Sequence, residues 1–195
     1  MSSQLRSICV FCGAHSGTNP AFEQAARAVG KYFAENGIRL ITGGGSFGLM
    51  GAVADGCLDA GGEMVGVITT YLEKRELAHP KATRMDVVET MLERKTRMAE
   101  LSDAFVSLPG GIGTLDELFE MLTWSRLQEH DKPSGLLNVD GFYDELISFC
   151  CKTQVEAGFI TAEDAANLIH SDNLPDLLEK LAEAAQDGPS SLYRD

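Results

Sequence analysis

Residues 104–117 read Ala104-Phe105-Val106-Ser107-Leu108-Pro109-Gly110-Gly111-Ile112-Gly113-Thr114-Leu115-Asp116-Glu117, and this stretch decides the fold. An apolar run enters a glycine turn and an amphipathic run leaves it, the pattern of a strand, a turn and a helix start. Glycines let the backbone approach a ligand closely, and the first helical N–H groups have no intrahelical partner. Those free donors and the helix dipole both favour negative charge, so the turn suits a phosphate. Asp116, Glu117 and Glu120 follow within two turns, too close to a phosphate to be its ligands. The string predicts a site that holds a phosphate at one end and applies a carboxylate to something else.

The same unit repeats along the chain. Strands are expected at Ile8–Phe11, Arg39–Thr42, Met64–Ile68, Ala104–Leu108, Leu136–Val139 and Leu168–His170. Helices are expected over Pro20–Asn36, Gly48–Ala60, Val88–Leu101, Thr114–Leu127, Phe142–Glu156, Thr161–Asn167 and Pro175–Ala185. The polar stretch Thr69–Arg84 reads as a surface excursion. Strands alternating with helices imply an α/β fold, a parallel sheet covered on both faces. Ligands bind such sheets beyond the carboxyl ends of the strands, where the glycine turns fall. Residues 1–186 are expected to form one domain, with 187–195 as a disordered tail.

The chain has 195 residues and a net charge of −13. That charge argues against nucleic acid or an anionic membrane as partner, and a small anion could bind only through a local cluster of cations. No apolar run approaches the ~20 residues that span a bilayer, and residues 1–6 lack a signal-peptide pattern, so the cytoplasm is the expected compartment. Cys9 and Cys12 are formally a C-x-x-C pair, but within a strand their thiols point to opposite faces. All five cysteines are expected to be reduced. The four histidines show no metal-binding spacing, and no metal or cofactor is called for.

Three further motifs carry chemistry. Gly43, Gly45 and Gly48 satisfy G-x-G-x-x-G after a strand, but the acid that would hold a dinucleotide's ribose is missing from the end of the next strand, where Thr69 and Thr70 stand. Gly43, Gly44, Gly45 and Gly48 then either shape a mononucleotide pocket or serve helix–strand packing alone. At ~100° per residue Val87, Val88, Met91, Leu92, Met98 and Leu101 form one apolar stripe, with Arg94 and Lys95 inside it. Inward charges need partners. The choice lies between snorkelling or an internal salt bridge and an anionic ligand, and the acidic composition favours the ligand. Thr114 and Glu117 match a capping box. Neighbouring acids and the glycine approach argue for a role beyond capping.

At these residues the chain resembles the Lonely Guy family, the cytokinin riboside 5′-monophosphate phosphoribohydrolases. The resemblance rests on Val10-Phe11-Cys12-Gly13, on Gly43-Gly44-Gly45 with Gly48-Leu49-Met50-Gly51, on Glu93-Arg94-Lys95 through Met98, and on Pro109 to Glu117. It continues through Thr123-Trp124, His130-Asp131-Lys132-Pro133 and Gly135-Leu136-Leu137-Asn138-Val139 to Gly158-Phe159-Ile160, covering residues 8–160. It implies a Rossmann-like, doubly wound homodimer that cleaves the N-glycosidic bond of an adenine-type nucleoside 5′-monophosphate. The products would be the free base and ribose 5-phosphate. By position, Gly110, Gly111, Ile112, Gly113 and Thr114 resemble the phosphate cradle, with Leu115 and Asp116 continuing it. Arg94 and Glu117 resemble the catalytic pair. Glu76, Lys95 and Thr123 fall where the family contacts substrate, and Glu120 or Glu76 would hold ribose hydroxyls. Leu92 departs from a usual histidine, and Arg126 and Gln128 from a usual glutamine and glycine. Two other readings stand beside this one: a non-catalytic nucleotide- or cofactor-binding protein on the same fold, and a decarboxylase that would need pyridoxal phosphate on Lys95.

Overall fold

The computed structural model describes residues 5–75 and 77–187. In chain order the elements are β1 (Ser7–Phe11), α1 (Pro20–Glu35), β2 (Arg39–Thr42), α2 (Gly48–Asp59), β3 (Met64–Thr69), α3 (Thr70–Glu73) and β4 (Arg84–Val88). They continue with α4 (Met91–Glu100), β5 (Ala104–Ser107), α5 (Ile112–Arg126) and β6 (Ser134–Leu137). A 3₁₀ turn at Val139–Gly141 leads to α6 (Asp144–Ser148), which passes through a π-helical segment, Phe149–Thr153, into α7 (Gln154–Glu156). The last elements are α8 (Ala162–Ala165), β7 (Leu168–Ser171) and α9 (Leu174–Asp187).

The seven strands form one sheet in the order β4-β3-β2-β1-β5-β6-β7, and every pair is parallel. This is the α/β, Rossmann-like, doubly wound arrangement. The chain winds outward from β1 to β4, then returns to lay β5 against the other side of β1. Loops after β1 and β5 therefore leave in diverging directions and open a crevice between them.

Strand alternation sends Ile8 and Val10 to one face, where they pack with residues of α1, α2 and α9, including Phe33, Val53 and Leu177. Cys9 and Phe11 go to the other, against Met98 of α4 and Met121 of α5. Cys9 and Cys12 thus lie in separate cores, as their spacing implies, and all five thiols are free.

Helices α1 and α2 cross at glycines. A Cβ on Gly30 would sit 2.0 Å from the Val53 carbonyl oxygen, and one on Gly56 would sit 2.2 Å from that of Arg27. Backbone cannot yield as a side chain can, so Gly30→Ala is expected to destabilise the fold by roughly 1–3 kcal/mol, read as a lower urea midpoint.

Several expected boundaries move. The Thr69–Arg84 excursion ends in an unforeseen strand, β4, and the helix expected from Val88 starts at Met91. β4 is an edge strand whose Asp86 pairs with Arg84 beside it and with Arg97 of α4, so its sequence lacks the apolar run of a central strand. The apolar stripe is also corrected: Val87, Met91 and Leu92 are exposed, while Arg94, Met98 and Ala99 are buried. The expected helix Phe142–Glu156 is interrupted by its π segment. Gln128 takes φ +62° at the end of α5, a left-handed turn that glycine adopts without strain. The expected tail, 187–195, lies outside the described residues except for Asp187, which closes α9. No described helix is long and apolar enough to cross a membrane.

Candidate active site

The crevice between β1 and β5 is a cleft of about 480 Å³. One wall is the Gly13–Gly17 loop after β1, and the other is the Gly110–Thr114 turn after β5. The Gly13 N–H donates to the Pro109 carbonyl at 3.0 Å and holds the two walls together at their base. The second glycine turn braces this loop from below. Gly48 has φ +59°, and a Cβ there would lie 2.4 Å from the Ala14 backbone, so this contact requires glycine.

Helix α5 begins at Ile112, two residues before the expected Thr114, and its N-cap Gly111 offers no side-chain hydrogen bond. The Thr114–Glu117 capping box does not form. The capping box of this region joins Thr90 to Glu93 at the start of α4. The α5 N-terminus therefore presents its first N–H groups to the cleft without a protein side chain to cap them. Gly111 has φ −96° and ψ −156°, open to any residue, and a Cβ on it would meet nothing within 4 Å. Neither backbone strain nor packing explains this glycine. Gly110 differs, because a Cβ there would sit 2.1 Å from Thr114 Oγ1.

Arg94 reaches the cleft from α4 and is buried. Its Nε donates to the Val67 carbonyl and its Nη2 to the Gly43 carbonyl, each at 2.9 Å. A Cβ on Gly43 would collide with this guanidinium, so the first glycine of the second turn makes room for the arginine as well as anchoring it. Arg94 Nη1 then lies 3.9 Å from Glu117 Oε1. Gly44 and Gly45 sit outside the cleft lining, beside Met85 and Met50.

Glu117 lines the cleft with its side chain 14% exposed. Burial pushes its carboxyl up to about 7; Arg94 and Lys95 oppose the shift, while Asp116 and Glu120 add to it. Burial and the Glu117 charge likewise raise the Cys12 thiol, so it stays neutral beside the carboxyl. A carboxyl poised near neutrality in a cleft is suited to proton transfer.

Other predicted residues lie elsewhere. Glu120 and Asp116 face Lys95, not the cleft, at 2.7 and 3.1 Å from its Nζ. Of the two glutamates, only Glu117 lines the cleft. Thr123 is exposed and its hydroxyl donates to the Phe119 carbonyl. Ile112 points outward and is 83% exposed, and Leu115 packs into the core around Leu118. Glu76 lies outside the described residues. Leu77 and His79 beyond it are pinned to the second glycine turn, with Ser46 N–H donating to Leu77 O and His79 N–H to Gly44 O.

The cleft also includes residues the motifs did not reveal. The Gly13–Gly17 loop could have been inferred from its place after the central strand. Phe22 and Phe142, which meet edge to face at 5.4 Å, come from distant segments with no shared motif.

Pyridoxal phosphate does not fit Lys95. A Schiff-base lysine must shed its proton. Although burial works against the Lys95 charge, the hydrogen bonds its ammonium donates to Glu120 and Asp116 raise its pKa above the ordinary lysine value.

Comparison with known proteins agrees with the fold and the motifs. A family model described as a possible lysine decarboxylase matches residues 50–181. The chain is 48% identical over 169 residues to a cytokinin riboside 5′-monophosphate phosphoribohydrolase of Oryza sativa subsp. japonica, covering 87% of this chain and 69% of that protein. It is 44% identical over 183 residues to an Arabidopsis thaliana protein of the same name, covering 94% and 85%. Among solved structures, the molybdenum cofactor binding protein of Rippkaea orientalis superposes with a TM-score of 0.68 over 93% of this chain and 97% of that one. At 21% identity that likeness concerns the fold alone. The chain belongs to the Lonely Guy family, that of the cytokinin riboside 5′-monophosphate phosphoribohydrolases.

Proposed function

We propose that this protein hydrolyses the N-glycosidic bond of adenine-type nucleoside 5′-monophosphates, AMP or a cytokinin riboside 5′-monophosphate, releasing the base and ribose 5-phosphate. The observation that carries this reading is Glu117, a buried carboxyl held near neutrality one helical turn from an uncapped, glycine-rich helix N-terminus in one cleft. The cleft volume lies within the ~300–1,000 Å³ of small-molecule sites.

In this reading the 5′-phosphate binds the N–H groups of Gly111–Thr114 and fixes the sugar's register. Binding energy remote from the reacting bond is thereby used for positioning. The base departs with the electron pair of the C1′–N bond and takes up a proton from solvent, and its departure builds positive charge at C1′, as in glycoside hydrolysis. Ionised Glu117 stabilises that charge and accepts a proton from the attacking water. Arg94, fixed in place by two carbonyls, orients the Glu117 carboxylate and adds a cation for substrate anions; it is always charged and does not donate its proton. A homodimer belongs to the proposal, supported by exposed Met91, Leu92, Ile112 and Phe119 on the helices that carry the site; sedimentation equilibrium measures it.

The test is chromatography of AMP and isopentenyladenosine 5′-monophosphate after incubation with the protein, with adenosine as control. Free base from the monophosphates but not from adenosine is the expected result. Binding without cleavage would instead support a nucleotide carrier. Gly111→Val provides a second arm. The variant is expected to fold, with a loss of about 1 kcal/mol at the N-cap, yet to lose roughly 100-fold or more in kcat/KM because its side chain occupies the phosphate cradle.

A further inference from the structure

The turn between β5 and α5 is held from both sides. Pro109 has no N–H to contribute, so the entry to the turn is fixed through carbonyls. On one side the Gly13 N–H, from the loop after β1, donates to the Pro109 carbonyl at 3.0 Å. On the other the Tyr143 hydroxyl, from the segment after β6, donates to the Leu108 carbonyl at 2.6 Å. Leu108 lies one residue beyond β5, past the pairing of Ser107 with Leu136 of β6. A side chain thus takes over the backbone where the strand has ended.

Tyr143 is built for this contact. Its ring is buried in a core with Leu118, Leu136, Cys150 and Leu168. A phenylalanine would fill that space without the cost of burying a hydroxyl, so the oxygen is explained by its acceptor. Burial, with Cys12 nearby, raises the phenol above its ordinary range, so it keeps its proton and donates. The segment that carries it is itself anchored. The Tyr143 N–H donates to Asn138 Oδ1 at 2.8 Å, and the Asn138 N–H donates to the Ser171 carbonyl at 2.8 Å. Asn19 Nδ2, from the start of α1, donates to Asp140 Oδ2 at 2.9 Å. The neighbouring Phe142 ring meets that of Tyr143 edge-on at 4.8 Å and lines the cleft.

Resting on the reading of this turn as a phosphate cradle, we infer that Tyr143 is a positioning residue for phosphate recognition. Its hydroxyl fixes the Leu108–Pro109 peptide and thereby the register of Gly110 and Gly111 under the phosphate. Without that hold, the glycines that follow have the conformational freedom to let the turn drift. The role concerns binding and not the chemical step, because Arg94 is held separately, by the Val67 and Gly43 carbonyls.

The experiment uses Tyr143→Phe, which removes the oxygen and keeps the ring. Isothermal titration with AMP, ribose 5-phosphate and adenosine is combined with steady-state kinetics on AMP. The Kd of the phosphorylated ligands is expected to rise about tenfold, the order of one lost hydrogen bond, while that of adenosine stays within about twofold. KM should rise by a similar factor with kcat within about threefold, the pattern of lost binding shared by ground and transition states. Gly30→Ala, destabilised outside the cleft lining, separates recognition from stability. It should leave the preference for AMP over adenosine at the wild-type value. The inference is overturned if Tyr143→Phe binds AMP as wild type does, or weakens AMP and adenosine alike. It is equally overturned if Gly30→Ala shows the same loss of preference, or if Tyr143→Phe lowers kcat at unchanged KM. Should wild type bind AMP but release no base, the reaction reading falls and the affinities still decide Tyr143. Should wild type bind AMP no better than adenosine, the cradle reading fails and the inference with it. If Tyr143→Phe does not stay folded, trimethylamine N-oxide favours the compact state, and the same affinities are read in it for wild type and both variants.

Discussion

Glu117→Gln is expected to abolish hydrolysis while making the protein more stable. The amide can neither neutralise a developing cation nor accept the water's proton, so kcat should fall by roughly 1,000-fold or more, with the monophosphate still bound through the α5 N-terminus. The stability effect follows from proton linkage. In the folded protein the carboxyl titrates near 7, above the ordinary 4.5, because burial disfavours its charge. Between these values the folded state holds a proton that the unfolded chain has released. Stability therefore falls as pH rises through this window, and the loss is complete above about 7. The cost at about pH 8 is roughly 2–4 kcal/mol, and glutamine removes it. The variant should therefore melt several degrees higher than wild type at about pH 8 and match it at about pH 4, where both are neutral. Wild-type kcat/KM should rise with pH through about 7, since the base role needs the ionised form. Retained hydrolysis in Glu117→Gln would remove Glu117 from the chemistry. Equal melting at both pH values would mean that its burial is not penalised.

Arg94→Met should have the second largest effect, and on both stability and rate. The substitution deletes the donors to the Val67 and Gly43 carbonyls, leaving two buried acceptors without their partner. Each such loss costs about 1–3 kcal/mol, so a lower urea midpoint is expected. It also deletes the cation that opposes Glu117's upward shift, so the inflection of the pH–rate profile should move above 7 and activity near neutrality should fall by roughly 100-fold or more. Arg94→Lys separates these effects. It keeps the charge, so the inflection should return toward wild type. A single ammonium cannot reproduce the fork that spans both carbonyls, so stability and kcat stay reduced. An unmoved inflection in Arg94→Met would mean that the arginine does not set the carboxyl's charge.

Much of the fold was legible because its signals are local. The apolar runs at Ile8–Phe11 and Ala104–Leu108 lie in the centre of the sheet, where both faces are covered and, apart from Ser107, the side chains are apolar. β4 was illegible for the converse reason: at the edge, Arg84 and Asp86 meet each other and solvent instead of a core. The start of α5 was misread because Thr114 and Glu117 satisfy the spacing of a cap, although the glycines before them are free to continue the helix back to Ile112. Spacing states which groups could meet. It does not state which alternative partner wins.

The candidate site divides in the same way. The amino-acid sequence by itself determined that a glycine-lined turn precedes a helix bearing acids, and that Arg94 and Lys95 turn inward, because those properties depend on backbone freedom and helical period. Only the tertiary structure decided that Arg94 and Glu117 meet in the cleft while Lys95 and Glu120 pair outside it. Arg94 and Lys95 are consecutive, so their destinations depend on how α4 is rotated over the sheet and on what Gly43, Val67 and α5 present to it. That rotation is set by packing between segments far apart in the chain. No local pattern encodes it.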